Sequence, residues 1–568
     1  MTIALRIALP FFLALSFLLP NHYYPWGSFY LEFSAFVFVV CLLSALAFDN
    51  VIIRTPVLLL FFAVLSCVPL MQFEFGSILF HGDAVVASFY IFIFFLTCIL
   101  GYTVASSENS YSYIRGVAVC LLIIGILSVW ISLIQWLGIY NGIWVHGIPS
   151  GGRPFGNLGQ PNNYSTLIFF SYFSLYFLYE KRLFSKLSFL FVAAFLVLGL
   201  ALGQSRTAWL VFGSLIFAVL LSFVFFQAYP KRRFFFLLFS AFTLYVLSIL
   251  LEITSQNLGL HNQLEFRSQV RDVRIDMWQA FLASIIDNPI FGYGWGQVSV
   301  AQLSVFELYP QNGMTQYAHN LALDLMIWNG VPLGVLTLLI ILMLFFRVFL
   351  NSFSRTGFYF FSGLGALMVH SMLEYPYAYA YFLVLAGLFF GAGSVRCNKS
   401  QAALALVLKQ RIECLGYLFK REFEVGRLVI IPVIVIFFIG LGIIWHEYRL
   451  LEDDQRLLRF EAASIGTLRA AEKAPDVAVI DQLKGFLWVA RTSSGDLLSG
   501  DEKQLVNSVA LRYPMPMPLL KRAQIIESEL GSEEAVVSLL PIKYIYGEAS
   551  YESAVSQLIG SQHSEDKD

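Results

Sequence analysis

Charge is scarce in this sequence. Only 13% of its 568 residues are Asp, Glu, Lys or Arg, where an average soluble domain carries roughly 25%. The charges present nearly cancel, 36 basic against 37 acidic, for a formal net charge of −1. A basic nucleic-acid binder is thereby excluded, and no nucleic-acid partner is expected. Cysteine is scarce too. Cys41, Cys67, Cys98 and Cys120 lie in apolar runs, Cys397 and Cys414 in a basic stretch. No CxxC spacing exists and no disulfide framework is expected. Nucleotide loops of the Walker A or Gly-x-Gly-x-x-Gly kind are missing. The eight His are scattered without metal-ligand spacing, so ATP-driven transport and zinc hydrolysis lack support.

What is abundant is apolar sequence. Hydrophobic residues make up 58% of the chain, with 56 Phe, and the mean hydropathy is +0.72. A soluble enzyme of this length and a disordered chain are both excluded. The apolar residues come in runs near 3–20, 28–48, 56–71, 84–104, 115–137, 162–179, 187–203, 207–227, 233–253, 319–350, 356–373, 377–394 and 428–446. Runs of about 20 are the length that crosses a bilayer. The expected fold class is an all-α polytopic integral membrane protein of about 13 transmembrane helices. Gly330 and Pro332 interrupt the long tenth run and predict a kink. The first run carries one Arg6, ends in Leu-Leu-Pro-Asn and leads straight into more spans, so it reads as a span and not as a cleaved signal peptide.

Lys and Arg mark the cytoplasmic side. Lys181, Arg182 and Lys186 share one loop, and Lys231, Arg232 and Arg233 another. Arg347 and Arg355 flank a third, and residues 396–427 hold a fourth cluster. Alternating the spans puts all four on the side of Arg6. The amino terminus is then cytoplasmic and the segment after Trp445 external. Residues 1–446 read as the membrane domain, with external loops at about 138–161 and 254–318. Residues 447–568 hold 20 acidic and 13 basic side chains and read as a soluble helical tail. Stretches 449–473 and 500–512 show helical spacing. The expected location is a membrane, with the working face on the external side.

Four external segments carry residues that a membrane core does not need. Arg153–Asn163 reads RPFGNLGQPNN. Pro161 opens a helix there, and Arg153, Gln160, Asn162 and Asn163 sit at its amino-terminal mouth, where dipole and N–H groups favour an anion. Gly203–Leu210 reads GQSRTAWL and holds Arg206 close to hydrocarbon, a costly place for a cation that faces no cavity or partner. FRSQVRDVRIDMW places Arg267, Arg271 and Arg274 on one helix face, ahead of the Gly-aromatic segment DNPIFGYGWGQ. YAHNLALDLMIWNG then brings His319 to the outer end of a span, where it can serve as a general base. HSMLEYPYAYAYF places His370, Glu374 and Tyr375 at the outer end of another. Taken singly each has a bland alternative: a capped loop, a snorkelling Arg, a structural His, an interfacial aromatic belt.

Taken in order, RPFGNLGQPNN, GQSRTAWL, DNPIFGYGWGQ, AHNLALDLMIWNG and HSMLEYPY resemble the bacterial O-antigen ligase and polymerase superfamily. Within it they are most similar to the O-linked protein-glycosylation ligases, the pilin-type oligosaccharyltransferases. GNLGQPNN is the piece most specific to that branch, and the motifs cover about 140–394. The resemblance implies a glycosyltransferase without metal or cofactor. At the periplasmic face of a bacterial inner (cytoplasmic) membrane it would take a glycan from a polyprenyl-diphosphate lipid and pass it, with inversion, to a Ser or Thr hydroxyl of a pilin-like protein. The essential His of that family maps onto His319 and the Arg after the short turn onto Arg206. A second diphosphate-binding Arg falls on Arg271 or Arg274, with Arg153 as a further candidate. Gln160, Asn162, His370 and Glu374 would position substrates. One alternative keeps the chemistry and changes the acceptor: ligation of O-antigen to lipid A–core, or polymerisation of repeat units. Two others change the class: a transporter or flippase of a lipid-linked solute, and an assembly scaffold working through its tail.

Overall fold

A computed structural model of the chain describes residues 3–139, 142, 144–149, 151–226, 231–258, 273–310, 313–395, 421–466, 473–493 and 496–565. Among these, nine helical stretches are long and apolar enough to cross a membrane, judged by length and composition. The chain is a multi-pass, mostly helical membrane protein. Its helices in order are α1 (Ile3–Leu18), α2 (Phe29–Phe48), α3 (Leu60–Leu65), α4 (Val68–Glu74), α5 (His81–Ser106) and α6 (Ser110–Leu137). Then come α7 (Pro161–Glu180), α8 (Lys186–Gly203), α9 (Arg206–Phe226), α10 (Lys231–Asn257), α11 (Val273–Asp287), α12 (Val298–Ser304), α13 (Leu321–Asn351), α14 (Arg355–Ser371) and α15 (Ala380–Ser394). Helix α16 (Arg427–Ala462) runs unbroken across the expected boundary at 446. Beyond it lie α17 (Asp481–Ala490), α18 (Gly500–Arg512), α19 (Pro516–Leu530) and three further helices as far as Glu565.

One departure from an all-helical reading is a small antiparallel ribbon. Strand β1 (Ile53–Pro56) pairs with β2 (Glu422–Val425), Ile53 opposite Val425. Its strands hold β-branched and aromatic residues and flank apolar runs, so a pattern scaled to spans passes over them. The run at 56–71 is also not one straight helix. It breaks into a short 3-10 turn, α3 and α4.

Helix α7 is the centre of the bundle, with nearly every residue from Asn162 to Glu180 buried. Such all-round burial is why it lacks an amphipathic stripe. Helices α5 and α15 meet closely through small residues. A Cβ at Gly391 would lie 1.9 Å from the Cys98 carbonyl oxygen, so only glycine lets the two backbones approach. The kink in α13 falls at Gly330, at φ 72° and ψ 171°. The Gly-aromatic segment takes up the backbone groups the kink frees. Val331 N–H donates to Pro289 O at 2.7 Å and Tyr293 N–H to Ile327 O at 2.7 Å. A Cβ at Gly330 would meet Ile290 O at 2.1 Å.

The tail packs on the membrane helices. Tyr448 stacks on Phe29 at 3.6 Å, and both join a buried cluster with Leu451, Ile480 and Leu487. Glu447 accepts backbone N–H groups from Ala478, Val479 and Ile480. Asp481 accepts the Gly82 N–H at 2.7 Å, so a tail carboxylate satisfies an orphan donor in the first turn of α5.

Candidate active site

Side chains from RPFGNLGQPNN, FRSQVRDVRIDMW and YAHNLALDLMIWNG meet on one side chain of HSMLEYPYAYAYF, Glu374. It lies between α14 and α15 and is 5% exposed. Arg274, in the first turn of α11, makes an ion pair with it. His319 Nδ1 lies 2.7 Å from its Oε2. Asn162 Nδ2 donates to Oε1 at 3.0 Å and Gln160 Nε2 to Oε2 at 3.4 Å. Burial alone would push this carboxyl up, but the hydrogen bond and charge of His319, with the Arg274 guanidinium, outweigh it and hold the group at about 2. Glu374 is therefore ionised at any physiological pH.

That charge fixes the imidazole. A carboxylate without a proton can only accept, so Nδ1 carries the hydrogen. In the neutral ring the lone pair is then on Nε2. Nε2 has no hydrogen-bond partner among the described residues. His319 lines a cavity of about 1000 Å³. The Tyr375 ring stands edge-on to the imidazole, centroids 4.7 Å apart, and holds its plane.

The backbone that presents the ring is equally constrained. His319 has φ 54°, a left-handed conformation costly for a side chain of this size. Both neighbours are tied down. The Ala318 N–H donates to Asp324 Oδ1 at 2.8 Å, and Tyr377 donates its hydroxyl to Asp324 Oδ2. Asn320 caps α13 by accepting from Ala322 and Leu323.

The remaining expected site residues fall as follows. Arg206 is exposed in the first turn of α9, where the helix dipole adds positive potential. Ser205, just before it, donates to Asn162 Oδ1 at 2.6 Å and so joins the short turn to the Glu374 cluster. Arg153 donates to the carbonyl of Gln204 at 3.0 Å, in that same turn. His370 is fully buried in α14 against Thr166, 2.8 Å away, and does not line the cavity. Arg267 and Arg271 lie outside the described residues. Asn162 and Glu374, expected to meet substrate, spend their visible hydrogen bonds on each other and on His319, Arg274, Gln160 and Ser205.

Several contributors were not expected. Asp324 was signalled by being an acid inside an apolar span. Gln135 gathers the first external loop, donating to His146 O and Gly156 O and accepting from Phe155 and Gly156. Asn157 of the GNLGQ turn ties that loop to Leu18 O and Trp144 O. Trp295, stacked on Trp328 at 4.4 Å, lines the cavity with Tyr317 and Tyr377.

Residues 191–338 match the family described as O-antigen ligase. That stretch holds Arg206, Arg274, His319 and Asp324, and stops short of Glu374. The chain is 28% identical over 547 residues to the general O-oligosaccharyltransferase of Acinetobacter baylyi (strain ATCC 33305 / BD413 / ADP1), covering 92% of this chain and 89% of that protein. It is 29% identical over 408 residues to the ComP-specific O-oligosaccharyltransferase of the same strain, covering 71% and 73%. The chain is a membrane enzyme, a glycosyltransferase, similar to the O-antigen ligase family and to the O-oligosaccharyltransferases.

Proposed function

We propose that the protein is an O-linked oligosaccharyltransferase of the inner membrane. It moves a glycan from a polyprenyl-diphosphate lipid to a Ser or Thr hydroxyl of a pilin-like protein on the periplasmic face. In this reading residues 1–446 form the membrane-embedded enzyme and residues 447–568 its periplasmic tail, with external loops at about 138–161 and 254–318. The observation that carries it is the His319 to Glu374 hydrogen bond, which leaves Nε2 to take up a proton on a side chain that lines a cavity. Both O-oligosaccharyltransferase relatives lend the acceptor class.

The step is a single displacement. The acceptor oxygen attacks the anomeric carbon while its proton passes to His319 Nε2. The bond from that carbon to the phosphate oxygen breaks, and its electron pair leaves with the polyprenyl diphosphate. Glu374 stabilises the imidazolium that forms, and a proton then returns to solvent. Arg206 at its helix amino terminus, with Arg153 nearby and Arg274 or Arg271, offsets the charge of the leaving diphosphate. Gln160, Asn162 and His370 hold the framework around the donor.

The test is glycan transfer by full-length protein in membranes, using lipid-linked oligosaccharide and a pilin-like acceptor. His319→Ala and Arg206→Ala should abolish transfer while the proteins stay folded, and wild-type rates from both would refute the assignment. The family match to O-antigen ligase keeps a second reading open to the same assay: transfer to lipid A–core and not to the pilin would select it.

A further inference from the structure

The cavity that holds His319 is also walled by the tail, through Gln482, Leu483, Arg512 and Tyr513. Arg512 ends α18 and is 8% exposed. Its Nε donates to Asp83 Oδ2 at 2.6 Å and its Nη2 to Asp83 Oδ1 at 3.1 Å, a fork reaching from the tail to the first turn of α5. Gln297 Nε2 also donates to Asp83, at 3.3 Å. Ser299 holds the Arg512 carbonyl at 2.8 Å, and the Tyr513 ring lies under the guanidinium, 4.9 Å away. Arg512 Nη1 is the exception, a buried charged donor with no hydrogen-bond partner among the described residues. Guanidinium donors are seldom buried unsatisfied, because the group loses its water and gains nothing.

Three features describe the ligand that would complete this end of the cavity. The Arg512 charge is cancelled by Asp83, so the place suits a neutral polar group and not a diphosphate. Carboxylate acceptors and a spare guanidinium donor stand side by side, which matches hydroxyls that both give and receive. Trp295, Tyr317, Tyr377 and Tyr513 supply flat aromatic faces in the same wall, on which the C–H face of a sugar ring can lie. The volume, about 1000 Å³, is at the upper end for small-ligand sites and too small for a folded protein.

Resting on the oligosaccharyltransferase reading, we propose that Arg512, Asp83 and the aromatic wall form a saccharide subsite, built jointly by the tail and the membrane helices. It holds the sugars of the donor beyond the reacting one, with the reducing-end sugar at His319 and the rest of the glycan toward Arg512. The tail then selects the glycan, and the acceptor enters elsewhere.

The experiment measures binding by the full chain in nanodiscs of two lipids: the lipid-linked oligosaccharide extracted from producing cells, and the same lipid trimmed to its first sugar. Wild-type protein should bind the full-length donor at least ten-fold more tightly. Arg512→Lys, which keeps a cation beside Asp83 but removes the fork, should erase most of that difference and leave the trimmed lipid unaffected. The paired Asp83→Asn, Arg512→Gln variant, which strands no charge, should do the same. Equal wild-type affinity for both lipids overturns the subsite, as does equal weakening of both by the variants. So does an unchanged lipid preference with a raised KM for the acceptor, which would assign the place to polypeptide. If the wild-type protein binds neither lipid, the oligosaccharyltransferase reading falls along with it.

Discussion

Two buried carboxylates sit at opposite ends of helix α7, and they do different things. Glu180 closes the helix, its side chain 1% exposed, paired with Arg232 and Arg233. Glu374 meets the other end through Asn162, its side chain 6% exposed, paired with Arg274 and His319. Eighteen residues of helix separate Asn162 from Glu180, about 27 Å, close to the thickness of a hydrocarbon core. Around Glu180 the partners are permanent cations. Arg233 is itself buried, donates to the carbonyls of Ser352, Phe353 and Ser354 and lies over the Phe358 ring at 4.5 Å. No histidine is among the ion-pair partners of Glu180 in the described residues, so it is a latch between α7, α10 and the turn before α14. Around Glu374 one partner is a histidine that lines a cavity and whose second nitrogen has no hydrogen-bond partner among the described residues. Equal burial and equal pairing thus give a fastener at one end and a proton acceptor at the other. The difference is one titratable partner with an open side.

The largest effect should come from removing that partner. His319→Ala is expected to lower glycan transfer by roughly 10²–10⁴-fold, the range for a lost general base. It should stay folded with a modest drop in melting temperature, because Glu374 loses its His319 bond but keeps Arg274, Asn162 and Gln160. Quantifying glycosylated acceptor by mass spectrometry checks the first half and thermal unfolding in detergent the second. Glu180→Gln should show the opposite signature. It strands the buried Arg233, which costs about 3–5 kcal/mol of stability for a broken buried pair. The protein that survives should keep its KM and pH profile. A large activity loss with unchanged stability in Glu180→Gln would erase the distinction.

Much of the Glu374 end was legible in the sequence, and the reasons are local. Gln160, Asn162, Arg206, His319, His370 and Glu374 all stand at span ends, where polar residues are conspicuous against apolar flanks, and Arg274 stood out by its spacing with Arg267 and Arg271 in the long external loop. Their meeting point was not legible. Hydropathy places helix ends on a side of the membrane but does not say which ends are neighbours. Glu374 therefore read as one residue among several, while four partners from three separate segments converge on it. Asp324 gave a weaker signal, one acid inside an apolar run, and its meaning shows only with the Ala318 N–H it accepts. The Asp83 to Arg512 pair lies 429 residues apart in sequence and joins two regions that composition separates, so no pattern in either could reveal it. Most of the span runs reappear as helices because bilayer length is a strong constraint, the run at 56–71 breaking into shorter pieces. The β1–β2 ribbon was missed because four-residue strands impose none.

Acid should separate the two ends by a smaller margin. Glu374 is held at about 2, below its ordinary 4.5. A depressed carboxyl adds stability that is complete above its unfolded value and is lost as pH falls through the folded one. Between pH 4.5 and 2 the Glu374 cluster should therefore give up about 3 kcal/mol. Thermal unfolding across that window should show the loss in wild type and not in Glu374→Gln. At neutral pH Glu374→Gln should cut turnover more than it raises the acceptor KM, because the neutral amide no longer stabilises the imidazolium.

The smallest effect concerns how the ring is aimed. Asp324 touches neither Glu374 nor the imidazole. It holds the Ala318 N–H and the Tyr377 hydroxyl, and so fixes the left-handed backbone at His319. Asp324→Asn retains an acceptor for Ala318 and gives up the one that the Tyr377 hydroxyl uses, at a cost of about 1 kcal/mol. Turnover should fall a few-fold with the acceptor KM unchanged. Asp324→Ala should cost more, because the Ala318 N–H then has no acceptor and the strained turn loses its tether. If Asp324→Asn instead collapses the protein as Glu180→Gln should, the carboxylate is a second latch, and aiming the ring does not depend on it.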